Sequence, residues 1–325
     1  MIITRTPYRV SLIGGGSDYP QWYRKYGGET ISFTIDKYLY ISLRKLEKYF
    51  NHTIRISYSS LEEVNSFNKI QHPSVRETLK YFNLKNIEIH YDGDLPARVG
   101  MGSSSAFTVG LVLAILKYKK QIISTKDLAH KSIFIEQDLV KEVVGSQDQI
   151  IAAYGGVRHT IYKKDGSIIA KNLKLSSKTQ HKLEKNLFLL FTGITREAQK
   201  IASTYVKNIN QKKSLIENNQ KLLIDLKKSL MSDNIDDIGP ILSKSWSLKK
   251  KFSNKVTNKI INKKYNDAIY NGATGGKLLG AGAGGFLLLY VPLKNQKKFM
   301  NKFNKEVIIP IKIEKSGSKV IYKKI

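Results

Sequence analysis

Two glycines and three serines ahead of an apolar helix form the stretch with the clearest chemistry in this chain. PARVGMGSSSA, Pro96 to Ala106, sets Gly100, Met101 and Gly102 before Ser103, Ser104 and Ser105. Just before it, Ile87-Glu88-Ile89-His90-Tyr91 alternates apolar and polar residues as a half-buried strand does. Just after it, Phe107, Val109, Leu111, Val112, Ile115 and Leu116 recur at helical spacing. Glycines let the backbone approach a ligand, and a helix start offers unpaired N–H groups and a positive dipole end. Together these make a phosphate cradle. The stretch lacks the Gly-Lys-Ser/Thr ending of a P-loop, so it does not describe a Walker-type site. A serine-rich cap on a core helix is the competing reading.

Two further clusters bear on that choice. In TPYRVSLIGGGSDY an apolar strand ends in Gly14, Gly15 and Gly16, followed by Ser17 and Asp18. The glycines permit positive φ and leave room above the strand end for a substrate. Arg9 lies inside the strand, a costly place for a permanent cation without an anionic partner. Asp18 is suited to accept hydrogen bonds from hydroxyls, or simply to cap the next helix. In KLLGAGAGGF, Gly280, Gly282, Gly284 and Gly285 precede the apolar run from Phe286, as a loop that packs closely on another backbone or a ligand.

The carboxylates come from IEQDLVKEVVGSQDQIIAAYGG, Ile135 to Gly156. Ser146 and Gln149 have capping-box spacing, which predicts a helix start at Ser146 and puts Asp148 in its first turn. Asp148 then either completes a well-capped helix or does chemistry. With Glu136 on the preceding helix it makes a carboxylate pair of the kind that holds Mg²⁺ and orients a hydroxyl. The six histidines have no partners at metal or triad spacing.

The elements that must position these residues alternate along the first half. Strands are predicted at Ile2–Ile13, Thr30–Thr34, Tyr38–Leu46, Thr53–Tyr58, 87–91 and 157–162, and helices at Tyr19–Tyr26, Pro73–Phe82 and Lys126–Val140. A strand at Leu187–Phe191 opens a second half with helical patterns over 196–230, 234–250 and 255–270. Strand-like segments follow at 286–291 and 306–323, with a helix at 294–304 between them. A boundary near Lys185 divides the chain, although the later glycine cluster can fold back on the first domain.

With 325 residues the chain is long for one core, and it has no cysteine, which excludes disulfides and thiolate chemistry and suits a reducing cytosol. No basic-then-apolar leader opens it and no apolar run is long enough to span a bilayer, so a cytoplasmic location is expected. The formal charge is +29. Lysines spread through 207–264 and 294–324 outnumber arginines, and aromatic–basic interleaving is absent, which argues against nucleic acid and for a solvated surface whose field favours phosphorylated ligands.

The set RTPYRVSLIGGGSD, PARVGMGSSSA and KLLGAGAGGF, in this order and spacing, resembles the galacto-, homoserine, mevalonate and phosphomevalonate kinase (GHMP) superfamily over essentially the whole chain. Within it the chain looks most like the D-glycero-D-manno-heptose 7-phosphate kinases, through the GGGSD turn, GSQDQIIAAYGG and TGITREAQKI at Thr192–Ile201. The resemblance implies an α+β, GHMP-kinase-like two-domain architecture, with a ribosomal-S5-like N-terminal domain over 1–185 and a ferredoxin-like C-terminal domain over 186–325. It implies ATP and Mg²⁺ as cofactors, and phosphorylation of the anomeric C1 hydroxyl of a heptose 7-phosphate to the 1,7-bisphosphate. The expected partners are a small-molecule sugar phosphate and ATP, with no nucleic acid and no membrane; a homodimer is compatible with the sequence.

Residue by residue, the resemblance gives Gly100–Ser105 to the ATP phosphates and Ser104 and Glu136 to Mg²⁺. Asp148 matches the catalytic aspartate and Arg9 the cation facing it. Gly14–Asp18 match the sugar-binding turn, with Asp18 as hydroxyl acceptor, and Gly280–Gly285 the loop that supports the phosphate loop. An Asp held by a helix start and by Arg9 is ionised but a feeble base, which suits a loose phosphoryl-transfer transition state. Gly15-Gly16 stand where galactokinases have a Glu-His pair. The pocket is thereby opened and freed of a carboxylate, which favours a larger or phosphorylated sugar. Arg196 is the candidate for the distal phosphate, with Arg98, Arg24 and Lys25 as alternatives. Fucokinase- or glucuronokinase-type activity, a non-catalytic regulator and a basic RNA-binding relative are the other readings.

Overall fold

A long antiparallel pair organises the first half of the chain. The structure, a computed structural model, describes residues 1–195, 206 and 209–324. In order, its first elements are β1 (Ile2–Ile13), α1 (Pro20–Tyr26), β2 (Gly28–Lys45), β3 (Ile54–Ser57), β4 (Leu61–Val64), α2 (Pro73–Phe82), β5 (Ile87–Gly93) and α3 (Ser103–Tyr118). Next come α4 (Thr125–Phe134), α5 (Gln147–Tyr154), β6 (Val157–Tyr162), β7 (Ile168–Asn172), α6 (Ser177–Asn186) and β8 (Leu187–Phe191). The remainder comprises α7 (Lys213–Met231), α8 (Ile238–Lys250), α9 (Lys259–Tyr270), β9 (Gly275–Leu278), β10 (Phe286–Tyr290), α10 (Gln296–Lys302), β11 (Ile308–Pro310), β12 (Ile313–Glu314) and β13 (Lys319–Lys323).

The mixed α+β architecture has two sheets. The first has nine strands in the order β13-β1-β2-β5-β3-β4, with β6, β7 and β12 attached through the first half of β2. Its pairs are antiparallel except β3 with β5. The second sheet runs β11-β8-β10-β9, all antiparallel, and begins just after Lys185. The chain then returns: β12 and β13 pair with β2 and β1, so the last strands of the sequence complete the first sheet.

β2 is one strand of 18 residues where two extended segments are expected from the sequence. The polar Asp36-Lys37 step reads as a break, yet β1 continues alongside it. β9 is a strand where its glycines suggest a loop; Gly276 lies against the Leu288 carbonyl, closer than any side chain would allow. The helix expected over 126–140 is α4 followed by a π-turn at Ile135–Leu139, a local widening often found at functional sites.

α3 carries the core. Every residue from Ser105 to Leu116 is buried, and the helix packs on β1, β2, α4 and α5. A helix that is apolar all round is an interior helix. Its start is therefore fixed by packing on all sides, and the loop before it inherits that rigidity.

The two sheets meet at that loop. Gly285, with φ of 97°, lies where a Cβ would come within 2.0 Å of the Val99 carbonyl oxygen. An alanine there meets both an unfavourable backbone conformation and a fixed carbonyl. Gly285→Ala should lower stability by about 2–4 kcal/mol, read as a shift in the urea midpoint, whereas an unchanged midpoint would mean that this contact is not rigid.

Candidate active site

Arg9 projects from β1 and finds the partner its burial demands. Its Nε donates to Asp148 Oδ1 at 2.7 Å and its Nη2 to Oδ2 at 2.6 Å. Its Nη1 donates to the Gly100 carbonyl at 2.6 Å. The bidentate fork is the strong form of this pairing and fixes the carboxylate plane. The Arg9 side chain is 7% exposed and that of Asp148 25%, so the carboxylate is the member presented to the cavity.

Asp148 lies in the first turn of α5, as its sequence position predicts, but the capping box does not form. The Ser146 amide donates to the Asp18 carbonyl at 2.9 Å. The Ser146 hydroxyl accepts from the Gln137 amide at 3.1 Å, and Gln149 reaches Glu136 instead of turning back on the helix start. Tertiary partners thus replace the local cap, and they tie α5 to the turn bearing Asp18.

The loop over Gly100–Ser105 has the geometry of an anion seat. Gly102 takes a left-handed conformation, φ 73°, and α3 starts at Ser103 without a side-chain cap. The first amides of a helix have no partner within it, and the dipole adds positive potential there. Gly100, Gly102, Ser103, Ser104 and Ser105 line a cavity of about 800 Å³ together with Arg9, Asp148, Gly280 and Ala281. Met101 is fully buried beneath the loop and anchors it.

Gly15, Gly16 and Asp18 line the same cavity with Asn219 and Ser245. Asp18 Oδ1 accepts from the Gly16 amide at 2.9 Å. Burial, and then the charge of Asp148, push the Asp18 carboxyl up to about 6. Gly145 presses on it so closely that a Cβ would sit 1.9 Å from Oδ2. Gly14 and Ser17, expected to touch substrate, shape the turn from behind. The Ser17 hydroxyl donates to the Gly14 carbonyl at 2.8 Å and accepts from Gln220, leaving it no free face toward the cavity.

Glu136 occupies the π-turn, fully buried and outside the cavity wall. Its Oε2 accepts from Ser105 Oγ at 2.8 Å and from Gln149 Nε2. Its Oε1 has no hydrogen-bond partner among the described residues, the Thr108 hydroxyl being directed at the Ser104 carbonyl. Burial first, and then Glu142, raise its pKa to about 7. The serine bonded to Glu136 is thus Ser105, while the expected Ser104 is exposed at the cavity rim.

Several lining residues escape sequence reasoning. His72 stacks on Phe107 with ring centroids 4.8 Å apart, and Tyr58 and Tyr91 meet these rings edge-on. Burial holds His72 toward its neutral form. These four rings come from four separate segments, so no spacing announces them. Lys277, in β9, is 5% exposed, lines the cavity and donates to the Leu12 carbonyl at 2.8 Å. It follows two glycines, so no apolar run marks it as Arg9 is marked. Arg196 lies outside the described residues; of its alternatives, Arg98 lines the cavity.

Gly282, Gly284 and Gly285 do not line the cavity. Lys249 of α8 donates to the Leu278 and Gly280 carbonyls and fixes the start of their loop, and Gly285 closes against Val99.

Residues 68–156 match the model of the GHMP kinases N terminal domain. The chain is 30% identical over 319 residues to a D-glycero-alpha-D-manno-heptose 7-phosphate kinase of Campylobacter jejuni, with 94% of each covered. The crystal structure of a putative sugar kinase from Campylobacter jejuni superposes with a TM-score of 0.73 at 26% identity, covering 98% of this chain and 97% of that one. A D-glycero-D-manno-heptose 1-phosphate kinase from Bacteroides thetaiotaomicron shares the fold with a TM-score of 0.80 at 21% identity, covering 99% and 100%. With the Gly100–Ser105 loop and the Arg9–Asp148 pair gathered at one cavity, the chain belongs to the GHMP kinase family and is an ATP-dependent sugar kinase.

Proposed function

We propose that this kinase transfers the γ-phosphoryl group of ATP to the anomeric C1 hydroxyl of a heptose 7-phosphate, giving the 1,7-bisphosphate. The observation that carries the reading is the Arg9–Asp148 pair, set between the phosphate loop and the Gly15–Asp18 wall. Its neighbour in sequence space, a heptose 7-phosphate kinase at 30% identity, supports the choice of sugar.

The nucleotide's phosphates take the amides at the start of α3, and its base takes the aromatic end formed by Tyr58, His72, Tyr91 and Phe107. The acceptor sugar takes the wall at Gly15, Gly16 and Asp18. Asp148, oriented by Arg9, accepts the hydrogen bond of the attacking hydroxyl. As the oxygen–phosphorus bond forms and the bond to the β-phosphate oxygen breaks, the proton passes to Asp148 and ADP leaves. In a loose transition state the proton leaves late, so orientation matters more than basicity.

A divalent cation fits the residues present. Glu136 is a buried carboxylate with one oxygen unpartnered, next to the serines of the loop. Mg²⁺ usually takes one or two protein carboxylates and completes its shell with water and phosphate. Glu136 with Ser104 or Ser105 would hold it, and it would neutralise charge on the β- and γ-phosphates.

Asp148→Asn should lower kcat by about three orders of magnitude while ATP affinity by calorimetry stays within a few-fold. Near-normal turnover would remove Asp148 from the role. A coupled ADP-release screen of sugars and sugar phosphates should give the highest kcat/KM with D-glycero-D-manno-heptose 7-phosphate. A flat response there with fucose active would replace the sugar assigned.

Asp18 allows a pH test. Its folded-state pKa, about 6, lies above its ordinary 3.8, so its protonated form favours the folded state. That contribution is complete below about pH 4 and is lost as pH rises through about 6. Asp18→Asn, neutral throughout, should raise stability at pH 8 by up to about 3 kcal/mol and by nothing near pH 4, while raising the acceptor's KM. A gain independent of pH would contradict the burial of an ionised Asp18.

A further inference from the structure

We infer that Lys277 is a further catalytic cation, whose ammonium group meets the phosphoryl group in transit between nucleotide and acceptor. Lys277 lines the cavity from β9 of the second sheet, and its ammonium group reaches β1, the strand that supplies Arg9. Its Nζ is anchored to the Leu12 carbonyl, two residues before the glycine turn, which leaves two of its three donors for a ligand.

Charge matching explains why a second cation is needed. Arg9 has its Nε and Nη2 on Asp148 and its Nη1 on Gly100, so its charge is matched within the protein. Among the described residues no carboxylate lies within ion-pair distance of Lys277. A buried ammonium group whose protein contact is a carbonyl is unfavourable until an anion arrives. A phosphoryl group in a loose transition state spreads its charge over three equatorial oxygens, and a fixed, desolvated donor aimed at them is worth far more than one in water.

The surroundings agree. Arg9 of β1, Arg98 of the loop before α3, Lys249 of α8, Asp148 of α5, Glu142 ahead of α5 and Asp18 of the turn are the other charged groups lining the cavity. Burial, and then the charge of Arg9, pull Lys277 down to about 7. In the free enzyme its charge is therefore partial near neutrality, and a bound phosphoryl group restores it.

The inference rests on the transfer geometry proposed above for Asp148 and the start of α3, but not on the identity of the sugar. The test uses whichever acceptor the wild-type enzyme turns over, so a wrong sugar and a wrong role for Lys277 give different results. Lys277→Met should lower kcat about 100-fold or more, with dissociation constants for ATP and acceptor within about threefold of wild type. Its affinity for ADP, aluminium fluoride and acceptor together, a mimic of the transferring group, should fall by a similar factor. In wild type kcat/KM should decline as pH rises through about 7, because the protonated form is the active one. Lys277→Arg, charged at every pH, should recover part of kcat and lose that decline. Unchanged kcat in Lys277→Met, a loss confined to acceptor affinity, or an undiminished aluminium fluoride complex would overturn the inference. If Lys277→Met does not fold, a Lys277→Arg profile that keeps the wild-type decline overturns it equally.

Discussion

The fork between Arg9 and Asp148 is the constraint on which the rest of this site depends. A guanidinium stays charged in any protein environment, so one buried in a strand must be met by a carboxylate. Meeting it draws the first turn of α5 against β1. The third contact of Arg9, with the Gly100 carbonyl, ties the phosphate loop to the same point. One side chain thereby sets the distance between the Asp148 carboxylate and the Gly100–Ser105 loop. The close glycine contacts at Gly285–Val99 and Gly145–Asp18 then lock the second sheet and the Gly14–Asp18 turn to this pair.

The site also divides its charges by burial. The Asp148 side chain is hydrogen-bonded to Arg9 and partly exposed; burial pushes Asp18 up to about 6 and Glu136 up to about 7. Such groups respond to what binds: a cation favours ionised Glu136, and an anion favours charged Lys277.

Much of this was legible in the residue pattern, for reasons that differ by element. β1, α2, β6 and β8 follow from local periodicity, with Pro73 opening α2 and Asn83, in a left-handed conformation, closing it. Arg9 and Asp148 stood out because a charge in an apolar strand and a carboxylate at a helix start each imply a partner. The capping box at Ser146 failed because Gln137 and Glu136, distant in sequence, took the side chains that a local cap requires. β9 was hidden by its glycines, which serve close strand approach and not a turn. Lys277 was hidden with it. The aromatic cluster of Tyr58, His72, Tyr91 and Phe107 is a product of topology alone, since the segments that carry these rings meet only once the sheet is built.

The central claim is that this geometry delivers a phosphoryl group to an anomeric oxygen. The most direct measurement is phosphorus NMR of wild-type enzyme with Mg-ATP and D-glycero-D-manno-heptose 7-phosphate. The account predicts ADP together with a new phosphomonoester resonance coupled to the anomeric proton. A new resonance coupled to any other sugar proton, or none while another sugar is phosphorylated, would contradict it.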